Sequence, residues 1–384
     1  MTKVMVEPRP GVGGGLVEGT ALSRTGIVWV SLVSAGAMLL AGCGSDTEAA
    51  SAVISSGTIG VAMPNTSSAR WVSDGDNMKK QFSLLGYETD VQYAEDKSDA
   101  QASQIAAMIK NGDKAIIVGA VDGTKLTAVL AQAADADIPV ISYDRLIRDT
   151  PNIDYYASFD NFRVGVLQAT YLVQTLGLKS KDGPFTIELF AGDSADNNAT
   201  FFFNGAMSIL RPYITSGKLE IPSGQKAFAK VTTAGWSGDV AQARMTKLLA
   251  QDYTSDRLDA VLSPYDGISR GIVAALKKDG YGTKSKPLPA VTGQDAELES
   301  IKAIVAGDQG ETVYKDSREL AKVTVQMTDA LLSGGTPEVN DTKQYNNGVK
   351  DVSSFLLQPV SVDKANYKTV LIDGGFYTAE QIGN

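Results

Sequence analysis

Short apolar runs that alternate with amphipathic stretches are the feature that most constrains the fold of this 384-residue chain. "TIGVAM" (58–63) is followed by the helix-like "WVSDGDNMKKQFSLLGY", and "GTKLTAVLAQAADAD" is followed by "IPVISYD" (138–144). Later, "LDAVLSPYD" precedes "GISRGIVAALKKDGY". Short strands rich in Val and Ile and separated by helices are typical of parallel sheets built from βαβ units. The sequence therefore predicts an α/β fold with doubly wound parallel sheets.

The number of predicted strands exceeds what one sheet holds comfortably, so we expect two α/β lobes of similar size. The regular alternation breaks at "YYASFDNFRVG" (155–165), and "VGVLQATYLVQTLGL" begins a new helix. We therefore place the seam between the two lobes in this segment.

The N-terminal segment has the features of an export signal. No charged residue occurs from Thr25 to Ala41, Arg24 precedes this run, and small residues end it. A basic flank, an apolar centre and a small-residue end are typical of a signal peptide. We assign residues 1–42 to it and residues 43–56, which are small and polar, to a flexible tether.

The last four residues of this run suggest a lipid anchor. Leu40-Ala41-Gly42-Cys43 resembles the bacterial lipobox, which implies cleavage before Cys43 and a lipid on its sulfur. An uncleaved transmembrane anchor is the alternative, since the length is near the lower limit for a span. Either interpretation places the rest of the chain outside the cytoplasm, close to a membrane.

Charge and composition exclude several classes of function. The net charge of −9 argues against nucleic acid as a partner, because phosphates need a basic face. The chain has no histidine, the commonest general base and transition-metal ligand. Its single cysteine excludes an internal disulfide and a cysteine zinc site. Hard-cation sites built from oxygen ligands remain possible.

Polar and aromatic residues follow the predicted strands, where ligands bind in open parallel sheets. Carboxylates can accept protons from sugar hydroxyls, and Arg, Lys and Asn can donate to their oxygens. Indole rings can pack on the C–H faces of a pyranose. The candidates of these types are Arg70, Trp71, Asp144, Arg145, Asp193, Asp196, Asn197, Asn198, Trp236, Asp266, Asp295 and Lys315.

Together these side chains predict a sugar-binding cleft. "SARW" places Arg70 and Trp71 at a turn, where an exposed tryptophan has no evident structural task. Each candidate also has a structural alternative. An Asp between a strand and a helix can be an N-cap, Asp144 and Arg145 can form a surface ion pair, and Trp236 can belong to the core.

Several stretches are similar to one family: "SSARWVSDGDNMKKQ", "GAVDGT", "PVISYDRLI", "DNNATFFFNGAM", "LSPYDG", "TGQDAE" and "VYKD". From about Gly57 to its end the chain resembles the sugar-binding proteins of bacterial ABC importers, which have the type I periplasmic-binding fold. The xylose-binding and multiple-sugar (galactose/glucose) receptors are the most similar members.

The resemblance implies roles for the candidates of the first lobe. Arg70 would hydrogen-bond the sugar, and Trp71 would stack on it. Asp144 and Arg145 would clamp the ring and anomeric oxygens.

It also implies roles for the remaining candidates. Asp196 and Asn198 would bind hydroxyls, and Trp236 would stack on the opposite face of the sugar. Asp295 would accept hydroxyl protons, and Lys315 would donate.

One position departs from the family pattern. At "LSPYDG" many relatives have Asn before the Asp, and here Tyr265 stands in that place. Asp266 would then act in its stead or only cap a helix, and the contact bears on which sugar is bound.

The same resemblance implies two lobes joined by a hinge of three crossings. The N-terminal lobe would comprise 57–159 plus 315–342, and the C-terminal lobe 160–314 plus 343–384. The protein would be an extracytoplasmic monomer without cofactor or metal, anchored to the membrane by the lipid on Cys43. It would hand a monosaccharide such as xylose, glucose or galactose to an ABC permease, with no chemistry of its own.

Other functions remain as alternatives. A sugar receptor of this fold can instead signal to a chemotaxis or sensor protein. A glycoside hydrolase would need two catalytic carboxylates, but Arg and Lys partners would depress their pKa values and remove the required acid. A transcription regulator of the same fold would need a DNA-binding headpiece, and the N-terminus reads as an export signal instead.

Overall fold

The computed structural model of the chain describes residues 57–254 and 257–383. The predicted signal peptide (1–42), Cys43 and the tether lie outside the described residues.

Strands and helices alternate along most of the described chain. The strands are β1 (Thr58–Met63), β2 (Glu88–Tyr93), β3 (Ala115–Val118), β4 (Val140–Tyr143), β5 (Tyr155–Phe159), β6 (Phe185–Leu189), β7 (Leu219–Glu220), β8 (Ala260–Leu262), β9 (Ala290–Val291), β10 (Glu311–Tyr314), β11 (Ser354–Leu357) and β12 (Val360–Asp363). The α-helices are α1 (Ala69–Leu84), α2 (Ser98–Asn111), α3 (Thr127–Asp135), α4 (Asn161–Leu176), α5 (Asn197–Thr215), α6 (Phe228–Val231), α7 (Gly238–Asp252), α8 (Asp266–Lys278), α9 (Leu298–Ala306), α10 (Ser317–Leu332) and α11 (Ala379–Ile382). Within the described ranges, no helix has both the length and the apolar character needed to cross a bilayer.

The first lobe is built on a six-stranded sheet in the order β11-β5-β4-β3-β1-β2. Every neighbouring pair in it is parallel. Helices α2 and α3 supply apolar side chains to the core on one face, while α1 and α10 supply the core on the other. All four residues of β3, "AIIV", are buried, as expected for a central strand that is covered on both faces. The predicted doubly wound α/β architecture is confirmed.

The second lobe contains the parallel strands β7-β6-β8-β9. A single parallel bridge between Gln294 and Val313 connects them to the antiparallel pair β10-β12. Helices α4 and α5 cover one face, and α7 and α8 cover the other.

Two glycines allow α4 and α5 to approach closely. A Cβ atom added at Gly165 would lie 1.9 Å from the carbonyl oxygen of Phe202. A Cβ added at Gly205 would lie 2.0 Å from the carbonyl oxygen of Phe162. The two backbones therefore meet at a separation that no side chain larger than hydrogen permits.

The chain passes between the lobes three times: between β5 and α4, between β10 and α10, and between β11 and β12. The third passage differs from the predicted boundary at residue 342. Strand β11 pairs in parallel with β5 and so extends the first sheet. Residues up to Leu357 therefore belong to the first lobe, and only the residues after Leu357 return to the second lobe.

Candidate functional site

A cavity of about 450 Å³ lies at the carboxyl ends of the strands, with walls from both lobes. Nine of the ten residues to which the family resemblance assigns a role line it. They are Arg70, Trp71, Asp144, Arg145, Asp196, Asn198, Trp236, Asp295 and Lys315.

Arg70 is at the centre of the charged groups of the first lobe. It lies in the first turn of α1 rather than in the predicted turn before it. Its Nη2 atom donates to the carboxylate of Asp144, Nη1 lies 3.7 Å from Asp295, and Nε lies 3.6 Å from Asp74. The side chain of Arg70 is only 14% exposed. One guanidinium thus joins carboxylates from both lobes.

Asp144 is held at a strained backbone position directly after β4. Its φ is +58°, and its carbonyl oxygen accepts from Ser158 Oγ at 2.9 Å. Burial raises the pKa of Asp144, but the charges of Arg70 and Lys315 outweigh it and lower the pKa to about 2. Lys315 Nζ lies 4.0 Å from Asp144 and 3.0 Å from Asp295. Asp144 is therefore an ionised acceptor at the cavity wall.

Trp71 corrects the prediction of an exposed ring, because only 5% of it is accessible. It packs edge-on against Tyr143, with ring centroids 6.5 Å apart. The guanidinium carbons of Arg70 and Arg145 lie 4.9 and 5.2 Å from its ring centroid. The tryptophan therefore packs in the core of the first lobe and also lines the cavity.

Asp196 and Asn198 connect the second lobe to the first. Asp196 caps α5 through Asn198 N and pairs with Arg145 Nε at 3.1 Å. Burial raises the pKa of Asp196 and outweighs the opposing charge of Arg145, contrary to the expectation that cationic partners depress every carboxylate here. Asn198 Nδ2 donates to Asp144 O at 2.8 Å, and its Oδ1 accepts from Asn161 at 2.9 Å.

Trp236 lines the cavity from the second lobe. It ends a short 3₁₀ turn at φ +55°, two residues before α7 begins at Gly238. A Cβ at Gly192 would lie 1.9 Å from the indole, so glycine is required beneath the ring. The ring meets Phe202 and Tyr265 edge-on. Its Nε1 is buried without a hydrogen-bond partner in the protein.

Asp266 is the one of these ten residues that does not line the cavity. It is fully buried as the first residue of α8, where it accepts from Gln309 Nε2 and Glu297 N, each at 2.8 Å. Burial raises its pKa to about 8. Its neighbour Tyr265 lines the cavity instead and donates its hydroxyl to Glu297 Oε1 at 2.6 Å.

Gln294 lines the cavity but is not among the residues predicted from the sequence. It is 3% exposed, and its Oε1 is buried without a donor. The signal was available, because Gln294 follows β9 as directly as the predicted Asp295 does. Phe202 was missed too, since its position inside α5 carries no strand-end signal.

Asp74 lies on α1 beneath Arg70 and is fully buried. Burial raises its pKa to about 6, despite the charge of Arg70. The folded state therefore keeps a proton that the unfolded state releases, so stability from this group is full below about pH 4 and is lost as the pH rises through about 6. From pH 4 to 7, urea denaturation should show wild type losing up to about 3 kcal/mol relative to Asp74→Asn. Parallel pH profiles of the two proteins would contradict this assignment.

A metal role for the site has no support in the described part of the chain. There, no group of three or more His, Cys, Asp or Glu side chains is arranged to hold a metal ion.

The chain is similar to proteins of one family over most of its described length. The model of the periplasmic binding protein domain matches residues 59–336. The multiple sugar-binding periplasmic protein SbpA of Azospirillum brasilense is 59% identical over 324 residues, which cover 84% of this chain and 90% of that protein. The D-xylose-binding periplasmic protein of Escherichia coli is 36% identical over 84% of this chain and 92% of its own length.

A solved structure agrees with these relatives. A solute-binding protein of an ABC transporter from Clostridium phytofermentans, with bound β-D-glucose, is 45% identical and superposes with a TM-score of 0.80. The match covers 85% of this chain and 99% of that one. The two lobes, the cleft at the strand ends and these similarities lead to one conclusion: the chain belongs to the family of periplasmic binding proteins.

Proposed function

We propose that the protein captures a monosaccharide in the cavity between its lobes and delivers it to an ABC permease. The observation that carries this proposal is the wall of the cavity, which combines buried ionised groups, amide side chains and two indoles around a volume of about 450 Å³. Sites for small ligands have volumes of about 300–1,000 Å³.

The charges in the cavity favour a neutral ligand. The cations Arg70, Arg145 and Lys315 pair with Asp144, Asp196 and Asp295, and Arg70 also lies 3.6 Å from the buried carboxylate of Asp74. A charged ligand would leave one of these buried groups without its counter-charge, at a large cost. A neutral polyol can accept from the cations and donate to the carboxylates without disturbing the balance.

Two buried polar atoms in the wall need a partner of this kind. Trp236 Nε1 is a donor and Gln294 Oε1 is an acceptor, and neither has a hydrogen-bond partner in the protein. An unpaired buried polar group costs about 1–3 kcal/mol. A ligand rich in hydroxyl groups can satisfy both atoms, because each hydroxyl donates and accepts.

The relatives support an aldose as the ligand. Proteins from A. brasilense and Rhizobium radiobacter, 59% and 57% identical to this chain, are named multiple sugar-binding. Solved relatives that are 45% and 33% identical contain glucose. We therefore infer that xylose, glucose and galactose are the first sugars to consider.

The cellular location is part of the same proposal. The family acts outside the cytoplasm, and we propose that a lipid on Cys43 holds this member at the membrane as a monomer. The support is the lipobox-like Leu40-Ala41-Gly42-Cys43.

Calorimetric titration of the chain from residue 44 with galactose, glucose, xylose, arabinose, fucose and ribose tests the proposal. We expect micromolar or tighter binding of at least one sugar. Asp295→Asn should weaken it at least tenfold, because a buried charge-assisted hydrogen bond contributes about 1.5–3 kcal/mol. Asp308→Asn is the matched control, since Asp308 pairs with Lys277 outside the cavity lining. No binding by folded wild type free of carried-over sugar would refute the proposal.

A further inference from the structure

Three consecutive phenylalanines on α5 contact three different parts of the molecule. Phe202 lines the cavity. Phe203 packs inside its own lobe, with its ring centroid 5.6 Å from that of Phe228. Phe201 packs against the core of the other lobe. Sugar binding accounts for the second residue of "FFF" and the second lobe's core for the third, but neither explains the first.

Phe201 stacks on an aromatic pair of the first lobe. Its ring lies 4.7 Å from that of Tyr345 at an interplanar angle of 29°. Tyr345 is fully buried and meets Tyr156 of β5 at 5.1 Å. The Tyr345 hydroxyl also accepts from Asn161 N at 3.2 Å, at the first passage between the lobes. A side chain of the second lobe thus inserts beside the hinge into the first.

A second contact lies on the same face of α5. Asn198 precedes Phe201 by three residues, a spacing that places both on one side of a helix. Asn198 Nδ2 donates to Asp144 O, and Asn198 Oδ1 lies 3.2 Å from the Tyr156 hydroxyl. The face defined by these two residues therefore docks on the first lobe through both a hydrogen bond and a ring stack.

We propose that Phe201 is a positioning residue that holds the lobes in the closed arrangement and so sets the affinity for every sugar alike. This proposal rests on the proposed function. Phe201 does not line the cavity, so it touches no ligand. Any opening that moves α5 away from the first lobe separates Phe201 from Tyr345. The observed dissociation constant varies inversely with the fraction of molecules that can close, so weakening this stack raises it by one common factor.

The test compares Phe201→Ala with Phe203→Ala, two changes of equal size within one turn of α5, where the two side chains lie on nearly opposite faces of the helix. Phe201→Ala should lower the affinity for every sugar by the same factor. We expect this factor to be about tenfold, because the change removes an aromatic stack together with the area that the ring buries. Dissociation should be faster, and association should be nearly unchanged. Small-angle X-ray scattering of the sugar-free protein should show a larger radius of gyration for Phe201→Ala than for wild type.

Phe203→Ala should lower the melting temperature and leave both the radius of gyration and the affinity for each sugar unchanged. If it does not fold, Phe201→Leu and Phe203→Leu make the same comparison. Unchanged affinity in Phe201→Ala, or a loss that differs between sugars, overturns the proposal. If wild type binds no sugar at all, the proposed function fails, and the scattering difference still decides whether Phe201 holds the lobes together.

Discussion

Replacing Arg70 with methionine should weaken sugar binding by about a hundredfold or more. The change keeps most of the apolar stem and removes the charge that faces Asp144, Asp295 and Asp74. Truncating one partner of a buried charge pair costs about 2–5 kcal/mol, because the other charge is left without compensation. Lys315 alone would then face two of the carboxylates. Calorimetric titration with the best-bound sugar measures the loss.

Arg70→Lys is the control that keeps the positive charge but lacks the planar guanidinium group. We expect its affinity for the sugar to lie between those of wild type and Arg70→Met. Thermal melting should show Arg70→Met to be less stable than Arg70→Lys, since the lysine still neutralises buried carboxylates. An affinity for Arg70→Met within threefold of wild type would show that Arg70 balances charge in the core but makes no contact with the sugar.

Gly165→Ala should destabilise the protein although alanine is the better helix former. In an exposed helix this change gains up to about 1 kcal/mol. Here the new methyl group would lie 1.9 Å from Phe202 O and 2.6 Å from Ala206 N. Both atoms belong to the backbone of α5 and cannot rotate away, so the two helices must separate. We expect a loss of about 3 kcal/mol or more in the free energy of unfolding in urea.

Gln174→Ala, on an exposed position of the same helix, is the matched control and should be neutral or slightly stabilising. Because Phe202 lines the cavity, Gly165→Ala should also weaken sugar binding in the molecules that remain folded. Stability equal to or above that of wild type would mean that α4 and α5 can separate freely.

The sequence was sufficient for the fold class and for most of the cavity wall, for one physical reason. Parallel strands bring their carboxyl ends to one edge, so residues that follow separate strands must meet there. This rule brought together residues as distant in the chain as Arg70 and Lys315, which share two carboxylates. That these residues bind a ligand stays a prediction.

The features that the sequence did not predict depend on long-range packing, which local sequence patterns do not encode. Trp71, on α1, is buried because its ring packs against Tyr143 in a core to which α10 also contributes, and nothing in "SARW" indicates that cover. Asp266 follows its strand as the others do, but as the first residue of α8 it accepts from Gln309 and Glu297, away from the cavity. Strand β11 lies in residues 343–384, which were assigned to the C-terminal lobe, because nothing in the local sequence indicates that it pairs with β5.

The pairing of β11 with β5 has a consequence for how the chain folds. Residues 354–357 close the open side of β5, which is itself formed from residues 155–159, nearly two hundred positions earlier. Between them the chain builds the whole α4–β10 segment of the other lobe. Contacts of such large sequence separation form late and slowly. A chain that stops before Ser354 therefore exposes the unpaired edge of β5 to intermolecular strand addition, and neither lobe can be separated from the other by a single cut.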